Sequence, residues 1–298
     1  MPEEAAGCRL LFVINPISGG GNKAAYMEAI AAHCANGDAV YEWYELSGDH
    51  AADQSSLRHW VKDWKPDRVI ALGGDGTLKF LAETLMNTGM PVAFVPAGSA
   101  NGMARELGLP AEPAEAIRVA AEGKPRKMDV VMLNGECSIH LADLGLNAQL
   151  VKHFEQSDRR GWWGYAREIL KVMRSKEKAR FEITADGKTT VRDAWMVVIA
   201  NSRYYGTGVP INPDGSVHDG RFEIVVLKQF SVWEILARTV LRYRRKNKNV
   251  EEIISAKEAT IRLSKPLYFQ VDGEYIDEVR EVRCEMKAGA VEMVMGDA

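Results

Sequence analysis

The sequence lacks any apolar run that approaches the roughly 20 residues a helix needs to cross a bilayer. Its first residues, Met-Pro-Glu-Glu-Ala-Ala, also lack the basic and then apolar pattern of a secretory signal peptide. We therefore expect a soluble, cytoplasmic protein. Any association with a membrane would then be peripheral.

Clusters of cysteine, histidine or charge are missing as well. The four cysteines form no close pair and no metal-ligand spacing, which is typical of a reduced intracellular chain. The six histidines form no cluster, and no Ser-His-Asp or Cys-His set is recognisable, so the sequence does not favour a hydrolase. The formal net charge of −3 gives no general attraction to nucleic acid, and we predict no nucleic-acid partner.

The first 128 residues alternate short apolar runs with helix-like segments. This alternation predicts an α/β domain, in which a parallel sheet carries helices on both faces. The predicted strands are residues 9–15, 40–46, 68–72 and 91–95, and the predicted helices are residues 22–35, a segment through Leu57 and Trp60, and residues 77–87.

After Asp129 the pattern changes to short, often alternating runs separated by Gly, Asn and Asp, which is typical of an antiparallel β-sandwich. We predict one domain over residues 1–128 and a second over residues 129–286, with a tail at about residues 287–298 that packs back on the first. The runs are residues 129–133, 137–141, 180–185, 194–200, 222–227, 259–263 and 267–272, with helices near residues 165–175 and 233–245.

Three polar, glycine-rich stretches follow three of the predicted strands, at residues 15–21, 73–77 and 96–101. In a parallel sheet such turns emerge at the carboxyl ends of the strands, where open α/β folds bind ligands. Glycines let the backbone approach a phosphate, and the N-terminus of the following helix favours negative charge. One such turn alone is more often a plain tight turn, whereas three together favour a nucleotide-phosphate site. The sequence has no Walker-type lysine motif and no dinucleotide fingerprint.

Asp75, which glycines enclose in the second stretch, differs from the other residues of these turns. A carboxylate beside phosphates is repelled unless a metal ion or a proton lies between them. We therefore interpret Asp75 as a residue that serves magnesium, directly or through water.

These motifs resemble the diacylglycerol-kinase catalytic-domain superfamily, which includes bacterial diacylglycerol kinases, related bacterial lipid kinases, and sphingosine and ceramide kinases. The resemblance covers nearly the whole chain. Gly-Gly-Asp-Gly-Thr at residues 73–77 is shared with NAD kinases and phosphofructokinases, whereas Asn15-Pro16 together with the late Asp272-Gly273-Glu274 is specific for the lipid kinases. The third motif, Pro96-x-Gly98-Ser99-x-Asn101, and Asp219-Gly220 with Phe222 belong to the same pattern.

The resemblance implies a nucleotide-binding domain of the NAD kinase and diacylglycerol kinase type, followed by a β-sandwich lipid domain. It implies transfer of the γ-phosphate of ATP, with Mg²⁺, to the hydroxyl of diacylglycerol or a related lipid. Glu274 falls where the bacterial enzymes place the general base, although the same residues suit a plain hairpin turn; Asp75 is the second catalytic candidate. The implied nucleotide-binding residues are Asn15, Pro16, Ser18, Gly19, Ser47, Gly73, Gly74, Asp75, Gly76, Thr77, Gly98, Ser99 and Asn101.

The loop at residues 214–221 resembles the structural magnesium loop of the family. In that loop the Asp219 carboxylate and the backbone carbonyls of Ser216 and Arg221 would be ligands. Asp129 matches an aspartate near the active-site magnesium network of bacterial relatives. An Asx-rich loop without an ion is the plainer alternative.

The sequence departs from the family pattern at two places. Lys79 and Phe80 stand where the family commonly has Asn-Glu, and Gly102 stands where bacterial diacylglycerol kinases favour Asp, which brings the third motif closer to sphingosine and ceramide kinases. Three alternatives therefore stay open: a sphingoid-base or ceramide kinase, an NAD kinase-like enzyme, and a non-catalytic nucleotide-binding regulator.

Two segments are candidates for contact with the membrane surface. Residues 158–165 combine arginines with aromatics, and residues 242–248 form a dense basic run that would attract anionic headgroups. A solvated helix face and aromatics within the core are the alternatives. The resemblance also allows a homodimer.

Overall fold

We analysed a computed structural model of the chain, which describes residues 7–16, 23–35, 39–98, 101–145, 178–205, 209–228 and 250–296. The chain divides into two compact units. The first is Met1–Met128 with Gly289–Ala298, and the second is Asp129–Ala288.

The first unit is built on a parallel sheet. Its central strands consist of apolar residues that helices cover from both sides, so that Leu10, Leu11, Phe12 and Val13 are all fully buried. The strands are β1 (Cys8–Ile14), β2 (Ala39–Glu45), β3 (Arg68–Gly73) and β4 (Pro91–Pro96), in the order β2-β1-β3-β4.

Among the described residues, five helices connect or follow these strands: α1 (Lys23–Cys34), α2 (His50–Trp64), α3 (Asp75–Leu85), α4 (Gly102–Glu106) and α5 (Pro113–Glu122). Helices α1 and α5 pack together on one face, where Ile30 and Ile117 contact the core residues Leu10 and Phe12. The chain leaves β1 toward β2 on one side and then returns to β3 on the other. The strand order therefore reverses between β1 and β3, which creates a crevice at their carboxyl ends.

The second unit is antiparallel. Its main sheet has the order β14-β13-β10-β7-β15-β16, with the hairpin β8–β9 attached to β15 and the hairpin β5–β6 joined to β16. The strands are β5 (Pro125–Leu133), β6 (Glu136–Ser138), β7 (Leu141–Gly145), β8 (Ala179–Ala185), β9 (Lys188–Ala194), β10 (Met196–Ala200), β11 (Tyr204–Tyr205), β12 (Val209–Pro210), β13 (Phe222–Leu227), β14 (Val250–Ala256), β15 (Glu258–Val271) and β16 (Glu274–Val294).

The described residues of the second unit form two apolar clusters, and the larger one contains three phenylalanines. Phe181, Phe222 and Phe269 are fully buried there, together with the inward-facing aliphatic residues of the same strands. The end of β16 continues beyond this unit and pairs in parallel with β4, where Glu292 lies opposite Pro91.

The predicted fold class is confirmed: an α/β unit with a parallel sheet and an antiparallel β unit. The predicted run at residues 137–141 differs from the observed structure, because it is broken between β6 and β7. The runs at residues 259–263 and 267–272 form one strand, β15, with an irregular register between Arg262 and Leu267. The helices expected near residues 165–175 and 233–245 lie outside the described residues.

Candidate active site

Four turns of the first unit lie at the same edge of the parallel sheet, because each follows the carboxyl end of a strand. Asn15-Pro16 follows β1, Ser47 follows β2, Gly74 follows β3, and Gly98 follows β4. Backbone hydrogen bonds hold adjacent turns together, from Leu46 to Ile14 at 2.9 Å and from Ala97 to Gly73 at 2.7 Å. The candidates Ser18, Gly19 and Ser99 lie outside the described residues.

The turns after β3 and β4 touch at their glycines. A Cβ atom on Gly98 would stand 2.5 Å from the Cα of Gly74 and 2.8 Å from Oδ1 of Asn101. The Asn101 side chain clamps the turn, since Gly98 N donates to Oδ1 at 3.1 Å and Nδ2 donates to the Gly98 carbonyl at 2.8 Å. Asn101 thus shapes the third motif by bonding within it, and its φ of 44° suits asparagine.

The Asp75 carboxylate bonds to the N-terminus of α4. It accepts the backbone N–H groups of Gly102 at 2.6 Å and Met103 at 3.1 Å. The cap residue of this helix, Asn101, makes no side-chain capping bond, so Asp75 supplies that cap from another segment. A carboxylate offers about four acceptor positions, of which these bonds use two. The remaining positions have the hard-oxygen chemistry that Mg²⁺ takes, so the Asp75 carboxylate by itself is compatible with the ion.

The Thr77 hydroxyl lies in the first turn of α3. The side chain is buried, and Oγ1 has no hydrogen-bond partner among the described residues. Buried hydroxyls are normally paired, so this oxygen is suited to bond a ligand. Thr77 N donates to the Gly74 carbonyl at 3.0 Å, whereas the cap residue Gly74 has no side chain that could accept the N–H groups of Asp75 and Gly76, the first two of α3. Together these donors suit an anionic group such as a phosphate.

Ser47 belongs to a tightly bonded turn. Its N–H and hydroxyl both donate to the Asp53 carboxylate at 3.0 to 3.1 Å, and its Oγ accepts from Asp49 N at 3.2 Å. Burial alone would raise the pKa of Asp53. The bonds from Ser47, Tyr44 and Gly48 outweigh burial and hold that pKa below its ordinary value. Asp53 was not among the predicted site residues, although an aspartate in the first turn of a helix is a recognisable signal in the sequence.

The two residues that depart from the family pattern are both buried in α3. Lys79 lies one helical turn after Asp75, at a spacing that puts both on the same face of the helix. The Phe80 ring meets the His50 ring edge-on at 5.4 Å between centroids, which packs α3 against α2. Phe80 therefore has a packing role.

The Asp272-Gly273-Glu274 motif forms the hairpin between β15 and β16. Val271 and Glu274 are the closing pair, and the φ angles of 51° at Asp272 and 90° at Gly273 are those of a type I′ turn. The plain-hairpin interpretation therefore describes the backbone correctly. Glu274 is exposed at the first position after the turn, where its carboxylate is accessible to a second reactant.

The predicted metal loop is held by its own hydrogen bonds. The buried Asp129 carboxylate accepts Gly220 N at 2.6 Å, and Asp129 N donates to the Val217 carbonyl at 2.8 Å. Oδ1 of the exposed Asp219 accepts Arg221 N at 3.0 Å, which is an Asx turn, while Ser216 Oγ accepts His218 N. Among the described residues no group of three or more His, Cys, Asp or Glu side chains could hold a metal ion. The predicted ligands, one carboxylate and two carbonyls, stay a prediction.

A cavity of about 610 Å³ in the second unit lies apart from all the predicted site residues. It is lined by Lys178, Val191, Arg192, Asp193, Lys228 and Glu252. In the part of the chain that the structure describes, no helix is long and apolar enough to span a membrane. The predicted membrane-contact segments, residues 158–165 and 242–248, lie outside the described residues.

Comparison with known proteins gives matches over both units. The diacylglycerol kinase catalytic domain family matches residues 9–133, and the YegS C-terminal NAD kinase beta sandwich-like domain matches residues 141–295. A diacylglycerol kinase of Bacillus subtilis is 26% identical over 233 residues, 76% of this chain and 75% of that protein. A diacylglycerol kinase of Mycobacterium tuberculosis is 25% identical over 273 residues, 88% of this chain and 87% of that protein.

A crystal structure of a diacylglycerol kinase from Bacillus anthracis has the same fold. It superposes with a TM-score of 0.72 over 97% of both chains at 20% identity. The two domain matches follow each other along the chain and cover most of it. The chain therefore belongs to the diacylglycerol kinase and YegS-like lipid kinase family.

Proposed function

We propose that this chain is an ATP-dependent lipid kinase that transfers the γ-phosphate to the hydroxyl of diacylglycerol or a related lipid. The observation that carries the proposal is the buried Thr77 hydroxyl without a partner among the described residues, beside the Gly74–Gly98 contact at the strand ends. Backbone N–H groups at the start of α3 and the Thr77 hydroxyl would hold the phosphates of ATP. The close approach of the two turns leaves no side chain between them.

Asp75 is the residue that would hold Mg²⁺, through the carboxylate positions that α4 does not occupy. The ion supplies positive charge beside the phosphates of ATP. Asp75 has a second duty, because its bonds to Gly102 and Met103 fix the third motif relative to the second. Gly102 contributes its backbone N–H group to this arrangement.

Glu274 is the proposed general base. In the reaction the proton of the lipid hydroxyl moves to the Glu274 carboxylate, and the lipid oxygen forms a bond to the γ-phosphorus. The bond between that phosphorus and the bridging oxygen to the β-phosphate breaks, so that ADP leaves. A stiff hairpin suits this role, because general-base catalysis requires hydrogen-bond reach to the hydroxyl.

The acceptor is proposed as diacylglycerol or a related lipid. The protein would bind it while associated peripherally with the membrane surface. Names of the relatives support this class, since the Bacillus subtilis and Mycobacterium tuberculosis proteins are both called diacylglycerol kinase. A sphingoid base or ceramide is the second candidate. It is favoured by the third motif, in which Gly102 stands directly after Asn101.

The test is transfer of labelled γ-phosphate from ATP, with magnesium, to lipids in mixed micelles. The panel contains diacylglycerol, a sphingoid base, ceramide and a polyprenyl alcohol, and NAD is included as a water-soluble acceptor. Wild type is compared with Glu274→Gln and with Glu278→Gln, an exposed glutamate four residues along the same strand. We expect one lipid class to be labelled, with loss only in Glu274→Gln. Labelling of NAD alone, or ATP binding without transfer to any acceptor, would contradict the proposal.

A further inference from the structure

The Asp272 carboxylate accepts four hydrogen bonds from one neighbouring segment of the same chain, residues 138–141. Oδ1 accepts the Ser138 hydroxyl at 2.9 Å and the backbone N–H groups of His140 at 3.1 Å and Leu141 at 2.9 Å. Oδ2 accepts Ile139 N at 2.9 Å. Asp272 N also donates to the Leu141 carbonyl at 2.9 Å. These bonds explain why the predicted strand at residues 137–141 is broken, since its backbone turns toward the carboxylate.

The hairpin tip is thus held at both of the turn residues that precede Glu274. Asp272 ties the first turn residue to residues 138–141, and Gly273 N donates to Oε1 of Gln270 at 2.7 Å. Hydrogen bonds to an ionised carboxylate are about twice as strong as bonds between neutral groups, so the tie through Asp272 is the stronger one. Glu274 follows Asp272 by two residues, and the turn leaves the chain little freedom between them.

The stretch that Asp272 binds is itself embedded in buried polar contacts. The His140 carbonyl accepts Asn201 N at 3.0 Å and Ser202 N at 3.2 Å, and the His140 ring bonds the Tyr204 carbonyl through Nε2 at 2.8 Å. Asn201, which is 1% exposed, donates through Nδ2 to the carbonyls of Asp129 and Ile139. The anchor of the hairpin is therefore part of a connected network that is buried at Asn201 and partly buried at Asp272, which restricts its movement.

Another hairpin of the second unit offers a direct comparison. Asn134-Gly135, between β5 and β6, also has positive φ angles at both turn residues, 52° and 97°, and so belongs to the same turn type as Asp272-Gly273. Its Asn134 side chain also bonds the backbone of a neighbouring strand, with Oδ1 accepting Arg283 N and Nδ2 donating to the Glu281 carbonyl, both at 2.9 Å. In both hairpins the side chain of the first turn residue therefore fixes the turn to a neighbouring segment. Asn134 does so with two hydrogen bonds, whereas Asp272 accepts four and lies two residues before Glu274.

We propose that Asp272 is a positioning residue that fixes the Glu274 carboxylate for the transfer step through its four bonds to residues 138–141. This inference rests on the proposed kinase function. The Asp272 carboxylate takes no part in the transfer itself, and its effect passes through the geometry of Glu274. A displacement of a reacting group by about 1 Å can cost about a hundredfold in rate, so the loss of these bonds should affect turnover far more than ATP binding.

The test compares Asp272→Asn with Asn134→Asp, two exchanges of a single atom at the same position of the same turn type. Asp272→Asn turns one acceptor oxygen into an NH₂ group that opposes an N–H donor of residues 138–141. We expect kcat to fall about ten- to a hundredfold with the KM for ATP unchanged. Asn134→Asp should lower the Tm by opposing the Glu281 carbonyl, yet leave kcat as in the wild type. In the background of Glu274→Gln, Asp272→Asn should cause little further loss, because the group it positions is already disabled.

Several outcomes would overturn the inference. A wild-type kcat in Asp272→Asn would do so. A double variant whose loss of kcat equals the product of the two single losses would also do so, as would a loss in Asn134→Asp as large as that in Asp272→Asn. If Asp272→Asn does not fold, Ser138→Ala removes one of the four donors, and it should lower kcat partly at a Tm near that of the wild type; unchanged kcat in that variant overturns the inference. A wild type that labels no lipid overturns the proposed function and this inference with it, and the lack of any wild-type signal distinguishes that case from the others.

Discussion

Gly98 and Gly74 are in contact through their backbones, and a methyl group on Gly98 would stand 2.5 Å from the Gly74 Cα atom. The contact joins the turns after two adjacent parallel strands, β3 and β4. The backbone N–H groups of the two turns therefore lie close to one another. Real Cβ atoms do not approach backbone atoms this closely. Glycine at position 98 is thus required by the packing of the two turns and not only by the flexibility of its own turn.

Gly98→Ala should force the two turns apart. We expect a loss of about 1–3 kcal/mol in the free energy of unfolding, as for other overpacked sites, and a clear loss of ATP affinity. Urea unfolding and ATP titration followed by calorimetry measure the two effects. Gly76→Ala is the stability control, because a Cβ there meets no atom of the described residues within 4 Å. That variant should be as stable as the wild type or slightly more so, since alanine is the better helix former. Equal stability of both variants would contradict the packing argument.

Thr77→Val should separate folding from ligand binding. The valine is nearly isosteric and removes a buried hydroxyl that has no partner among the described residues. Removal of an unpaired polar group favours the folded state, so the Tm without nucleotide should stay equal or rise. ATP affinity should fall about ten- to a hundredfold, which corresponds to about 1.5–3 kcal/mol for one hydrogen bond to a charged phosphate. A lower Tm together with unchanged affinity would show that the hydroxyl serves the fold and not a ligand.

The glycine turns were predictable from the sequence because their signal is local. A run such as residues 68–72 followed by Gly73-Gly74 specifies both a buried strand and the edge of the sheet at which its turn lies. Asp272-Gly273 equally specifies a two-residue hairpin, and the observed φ angles agree with it.

The bonds that connect distant segments were not predictable. Asp75 meets Gly102 across 27 residues, and Asp272 meets Leu141 across 131 residues. A carboxylate that accepts backbone N–H groups can bond to almost any residue type. No sequence pattern therefore indicates which residue its partner is. Strand β16 was missed for a different reason. Its exposed residues include charged side chains that form ion pairs, such as Glu281 with Arg283, so its sequence shows no clear alternation of apolar and polar residues.

Asp75→Asn should reduce both stability and transfer. The amide keeps one acceptor oxygen for α4 but opposes the second N–H donor with its NH₂ group, which costs about 0.5–2 kcal/mol by analogy with lost helix caps. Transfer of phosphate should fall by more than this stability loss explains, because the amide no longer attracts Mg²⁺. Asp49→Asn is the control. Asp49 caps α2 by accepting Ala52 N, and asparagine caps equally well, so neither stability nor transfer should change. Transfer at wild-type levels in Asp75→Asn would exclude the magnesium role.

The Asp53 carboxylate should make the stability of the first unit depend on pH in the acid range. Burial by itself raises its pKa, but the hydrogen bonds from Ser47, Tyr44 and Gly48 outweigh burial and lower the pKa in the folded state. Since the unfolded chain has the higher pKa, of about 3.9, the carboxylate stabilises the fold fully above that value. That contribution disappears as the pH falls through the lower pKa of the folded state.

Urea unfolding of wild type and Asp53→Asn at pH 7 and at about pH 3 tests this dependence. The wild type should be more stable at pH 7, and the difference between the two proteins should shrink at the acid end, because protonation gives the wild type the same loss of charge that the amide imposes. Tyr44→Phe removes one donor, from the Tyr44 hydroxyl to Oδ1 at 3.1 Å, and its stability at pH 7 should lie between the other two. A difference that is the same at both pH values would mean that the hydrogen bonds do not favour the ionised carboxylate, and the turn after β2 would then owe its order to packing alone.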